Sequence, residues 1–231
     1  MNTAEVLAEL ERYASPERKR KVARLGIPEE NSIGVSLPDI RRIAKRAGRS
    51  SSLARELWAT GLHEARLLAA IVFVPAELNA NDANALVADV QSWDLCDHLC
   101  NNLFLQMPGY PALIDAWVDA TPLYTRRAAF ALIASAATHE KTLSDEQRDR
   151  YLTHVESASD DARPHVKKSV DWALRELGQR DLASKERALQ VAETLIESGD
   201  KHRASLGRGA KREIERFAEV PGRRRLVAVR T

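Results

Sequence analysis

The feature that most constrains this chain is the spacing of its helix breakers. Apolar residues recur at three- and four-residue intervals, and each such run is closed by proline, glycine or a capping side chain. Helices are expected over 1–13 and 16–25, parted at Ser15-Pro16, then a loop from Gly26 to Gly34. Leu37-Pro38 opens a helix carrying Ile40, Ile43 and Ala44. Runs 53–59 and 63–74 pair across Thr60-Gly61, and 83–90 and 93–107 follow, ended by Pro108-Gly109. Segments 111–118 with 122–137, 145–157 with 162–177, and 185–197 with 206–217 complete the series. Helix pairs therefore recur about every 40 residues, the period of stacked helical repeats. No alternating valine and isoleucine runs are present, so no sheet beyond a stray bridge is expected. The predicted fold is all-α, a right-handed α-solenoid of about six HEAT-like helix pairs.

Composition agrees. Aromatic residues make up only 5% of the 231 residues, while alanine, leucine, arginine and glutamate dominate. One continuous domain is expected over 1–220, with a basic tail over 221–231. The net charge of +2 conceals an asymmetry. From Lys201 to Thr231 ten lysines and arginines face three glutamates, a surplus of seven that suits a polyanionic partner. The last residues, 223–231, are equally readable as a solvated tail. Cys96 and Cys100 lie one turn apart on an apolar stripe and read as buried free thiols, not a disulfide or a zinc site. No apolar run reaches the ~20 residues of a membrane span, and no signal segment opens the chain, so a cytoplasmic location is expected. There is no glycine-rich phosphate loop, and the histidines are scattered. Neither a cofactor nor a metal is expected.

Two tryptophans stand off their own stripes. In Ser92-Trp93-Asp94-Leu95-Cys96-Asp97 the stripe is Leu95, Cys96, Leu99 and Leu103, while Trp93, Asp97 and Asn101 stack one turn apart along its flank. Around Trp172 the stripe is Val166, Val170, Ala173 and Leu177, and the indole projects toward Lys168 and Arg175. An indole outside the core forfeits a large burial energy. Each residue also has an ordinary reading, as an edge tryptophan packed at a stripe margin and a solvated aspartate. A third element is Arg126-Arg127-Ala128-Ala129-Phe130, opening an alanine-rich helix. Small neighbours would let a phosphate approach Arg127 for bidentate contact, or let the arginine pack within a tight helix pair.

Taken in order, these segments resemble the AlkD-like family of DNA alkylation repair glycosylases, built from HEAT-like repeats. The likeness rests on Ser92 to Asp97, on Arg126 to Phe130, and on Val166 to Glu176. Gly34-Val35-Ser36-Leu37-Pro38-Asp39-Ile40-Arg41-Arg42, Leu57-Trp58 and the run from His63 to Ala69 support it. The resemblance implies Asp97 as catalytic carboxylate, Trp93 and Trp172 as lesion-holding residues, and Arg127 as a phosphate contact. Further DNA contacts are expected from Arg126, Lys167, Lys168 and Arg175, with Arg208, Lys211 and Arg212 at a rim. Solenoid stacking would bring the second helices of successive pairs onto one groove. The implied partner is double-stranded DNA carrying alkylated purines, bound by a monomer, and the implied reaction is monofunctional hydrolysis of the N-glycosidic bond. Leu25 stands where the family pattern has a cleft tyrosine. The alternative is a non-catalytic HEAT-like module binding DNA or a protein.

Overall fold

A computed structural model describes residues 1–27 and 29–229. It divides into two compact units, Met1–Tyr110 and Pro111–Thr231. The first holds α1 (Thr3–Arg12), α2 (Pro16–Ala23), α3 (Leu37–Ala47), α4 (Ser51–Ala59), α5 (His63–Val72), α6 (Ala80–Ala88) and α7 (Trp93–Asn102). From the junction onward run α8 (Tyr110–Trp117), α9 (Leu123–His139), α10 (Asp145–Ser157), α11 (Pro164–Gly178), α12 (Leu182–Glu197) and α13 (Lys201–Glu215). The only strands among the described residues are β1 (Phe217–Ala218) and β2 (Val227–Ala228), paired antiparallel. The chain is all-α, as the breaker spacing requires.

Local chemistry sets the helix starts. Asn2 with Glu5, Asn79 with Asp82, and Ser144 with Gln147 form reciprocal capping boxes, satisfying backbone donors that a helix N-terminus leaves open. Two boundaries differ from the sequence reading by five residues, the others by less. α7 stops at Asn102, because Leu103 leaves helical geometry and a 3-10 turn over Phe104–Gln106 follows. α13 begins at Lys201, not Leu206, with the Asp200 side chain accepting from the His202 and Arg203 amides at 2.8 Å. Gly207 and Gly209 lower its intrinsic propensity. Gly207 is nevertheless required, since a Cβ there would lie 2.5 Å from the Ala192 carbonyl of α12.

In the first unit α3, α5 and α7 pack side by side, with α4 against α5. The second unit repeats this arrangement with α9, α11 and α13, while α12 lies along α13. Within each unit, then, the second helices of successive pairs are neighbours. α9 is buried all round from Arg127 to Ala137, its alanines letting α11 approach closely. Phe130 is fully buried there, which stabilises the fold by about 2–3 kcal/mol.

Candidate nucleic-acid interface and catalytic residues

On α7 the sequence-derived stripe is observed. Leu95, Cys96, Leu99 and Leu103 are buried, as is Cys100, and both cysteines are free thiols. Trp93, Asp97 and Asn101 lie on the half-buried flank. The Asn101 amide donates to the Asp97 backbone carbonyl at 3.0 Å. The Trp93 indole N–H donates to the Leu25 carbonyl at 2.9 Å. Leu25 therefore orients this tryptophan through its backbone, while its side chain remains 56% exposed.

Behind α7 sits a polar network that sequence reasoning missed. Glu64 is buried, and its carboxylate accepts from the Ser32 hydroxyl (2.6 Å) and the amides of Ile33 (3.1 Å), Gly34 (2.7 Å) and Val35 (3.3 Å). Gly34 has a positive φ of 81°, and a Cβ there would collide with the Ser15 carbonyl. Only glycine suits that turn. His63 Nε2 lies 2.8 Å from Asp94 Oδ2. Burial pushes the Asp94 carboxyl upward, but hydrogen bonding and charge from His63, with the Ser92 hydroxyl, outweigh it and leave it below its ordinary value. His98 is buried, which pushes its imidazole down to about 4 despite the Leu67 carbonyl 3.0 Å from Nε2. The neutral ring donates to Leu67 through Nε2, and its Nδ1 accepts from Asn102 at 3.2 Å. No periodicity signals Glu64, because an acid near the start of an apolar helix reads as a first-turn charge.

In the second unit Trp172 is half-buried on α11 and donates to Glu176 Oε1 at 3.2 Å. The other Glu176 oxygen accepts from Thr138 Oγ1 of α9 at 2.9 Å and from Arg225 Nη2 at 2.6 Å. The indole is thus held by a carboxylate that also ties α9 to the C-terminal segment. That segment is tied down at several points as far as Val229, although most of its residues are exposed. Leu226 is buried, and Arg224 donates to the Glu140 carbonyl at 3.0 Å, beside Arg180 at 2.8 Å. Two guanidiniums thereby satisfy the C-terminal end of α9 and oppose its negative dipole. Arg230 and Thr231, the end of the expected tail, lie outside the described residues.

The eight cations expected at the interface divide in two. Arg127 is only 4% exposed and donates to the His165 carbonyl at 2.6 Å, inside the α9–α11 pair. Arg126 lies 3.4 Å from Asp161, Arg175 pairs with Asp171 one turn back, and Lys211 pairs with Glu193 at 3.1 Å. Lys168, Arg208 and Arg212 are exposed, Lys167 is half-buried, and none of these four forms an ion pair among the described residues. No cluster of three histidine, cysteine or carboxylate side chains suited to a metal occurs among the described residues. No helix there is long and apolar enough to cross a membrane.

Helix pairs whose second members pack side by side within each unit define an all-α helical-repeat fold. A solved structure of the same fold superposes with a TM-score of 0.80 at 18% identity, covering 94% of this chain and 95% of that one. That protein represents a new family related to the HEAT-like repeat DNA glycosylases, with affinity for branched DNA structures. A designed armadillo repeat protein matches at 15% identity and a TM-score of 0.36, over 85% of this chain and 99% of its own, too distant to bear on the fold. No curated protein matches the sequence. The model of the DNA alkylation repair enzyme family matches residues 6–213, and the chain belongs to that family.

Proposed function

We propose that this protein is a DNA glycosylase that releases cationic N3- or N7-alkylated purines from duplex DNA. The observation that carries the reading is the Trp93–Asp97 column on the half-buried flank of α7, in a chain of the alkylation repair family. A purine alkylated at a ring nitrogen is already positively charged and departs without a proton from the enzyme. One carboxylate then suffices where ordinary glycoside hydrolysis needs two. Asp97, ionised, would stabilise the oxocarbenium-like sugar and orient the attacking water. At ~4 Å and an effective dielectric near ~20 such a contact is worth about 4 kcal/mol. Realised only in the transition state, that equals roughly three decades of rate. Trp93 and Trp172 would offer π faces to the cationic nucleotide, about 1–2 kcal/mol each when desolvated. Lys167, Lys168, Arg208 and Arg212 would contact phosphates without reading sequence. Arg127 would act from within the α9–α11 pair, Arg126 from beside the nearly buried Asp161, and Arg175 and Lys211 by exchanging weak ion pairs for phosphate.

A second reading, a DNA-binding module without catalysis, is favoured by the fold shared with a protein that has affinity for branched DNA. On that reading a carboxylate at Asp97 would face DNA and weaken binding. Incubating the protein with methylated duplex DNA and measuring freed 7-methylguanine and 3-methyladenine separates the two. Release supports the glycosylase; binding without release supports the module.

A further inference from the structure

Within the second unit an open groove of about 530 Å³ runs between α11 and α13. Its size lies within the range of ligand sites, about 300–1,000 Å³. The lining joins two kinds of chemistry. Pro164, Leu206 and Gly209 give an apolar floor, while Lys167 and Lys168 stand on the α11 wall with no ion pair among the described residues. Asp171 also faces the groove, where Arg175 one turn along α11 and Lys167 one turn back both act on its carboxylate.

An intact duplex matches half of this surface. It offers phosphates and base edges, while the faces of its bases are covered by stacking neighbours. Phosphate alone would answer the lysines and leave the apolar floor against water. An unpaired nucleotide presents a flat apolar base and a phosphate together, which is how single strands are commonly held. We propose that the α11–α13 groove receives an unpaired DNA nucleotide beside a duplex, its base on the Pro164–Leu206 floor and its phosphate at Lys167 and Lys168. The inference rests on the DNA-binding reading above and is independent of catalysis.

Gly209 supplies the test. It is helical, with ordinary backbone geometry, and a Cβ there meets nothing within 4 Å. Gly209→Leu therefore fills the groove without disturbing α13, and replacing a mid-helix glycine should leave the melting temperature equal or higher. Ser205→Gln, at an exposed lining position, is a second variant that blocks by bulk without adding charge beside the lysines. Fluorescence anisotropy would compare a blunt duplex with the same duplex carrying a short single-stranded tail. The wild type should prefer the tailed duplex by about tenfold, the worth of one stacked base. Both variants should abolish that preference and keep blunt-duplex affinity. Equal wild-type affinity for the two probes, or a preference surviving in both variants, overturns the groove assignment. So does an equal loss for both probes, which would mean the groove holds duplex backbone. If the wild type binds neither probe, the DNA-binding reading itself falls.

Discussion

Removing the Glu64 carboxylate should unlock the loop that ends at Val35. In Glu64→Ala three backbone amides (Ile33, Gly34 and Val35) and the Ser32 hydroxyl lose their acceptor at once. Hydrogen bonds to a charged group contribute about 1.5–3 kcal/mol each. Four of them exceed what the mutation can cost, because the freed loop moves and finds water. The realistic loss is about 3–5 kcal/mol, the range for breaking a buried charge network. That is a large part of the ~5–15 kcal/mol by which a domain is stable. Glu64→Gln keeps the shape and one acceptor oxygen, so about half the loss is expected. Urea unfolding followed by helical circular dichroism gives both values. Amide hydrogen exchange adds a local readout, in which protection at Ile33, Gly34 and Val35 should collapse before that of α9. A Glu64→Ala loss below about 1 kcal/mol would refute the reasoning, since the amides would then already be paid for by solvent.

Acid should weaken the first unit through His98. Its folded value is pushed down to about 4, while the unfolded imidazole titrates near its ordinary value of 6.5. The unfolded state therefore binds more protons between the two, so stability is full above about 6.5 and falls by about 3 kcal/mol as pH drops toward 4. His98→Gln should flatten that slope in urea unfolding measured across the interval. Arg127→Ala should lower the melting temperature as well as DNA affinity, at about 2–3 kcal/mol, because its guanidinium is buried against the His165 carbonyl. An unchanged melting temperature would place its energy outside the fold. DNA affinity should fall with salt at a logarithmic slope of about −3, as expected for three or four neutralised phosphates. Removing Lys168 should make that slope shallower by about one.

The helical class and the α7 stripe were legible because both follow from a 3.6-residue period, which Leu95, Cys96, Leu99 and Cys100 keep and Trp93 and Asp97 break. The start of α13 was not legible. Its Asp200 cap is followed by the polar turn Lys201-His202-Arg203, which has no apolar residue to signal a helix. Glu64 was invisible for a different reason. Its partners lie about thirty residues earlier, in a loop without periodicity, and only tertiary packing makes it a hub. Arg127 had two sequence readings, phosphate contact or helix packing. The structure shows the packing directly, and any phosphate role must be compatible with it. The basic end read as a polyanion contact or a solvated tail, yet Arg224 and Arg225 bind carbonyls and Glu176.

The most direct test of the central claim is single-turnover release of 7-methylguanine from methylated duplex DNA by the wild type and Asp97→Asn. The substitution keeps the side-chain shape and removes its charge. Release should fall by about three decades, the equivalent of 4 kcal/mol in the transition state, with melting temperature and DNA affinity nearly unchanged. Release by Asp97→Asn at the wild-type rate would show that this carboxylate does no chemistry.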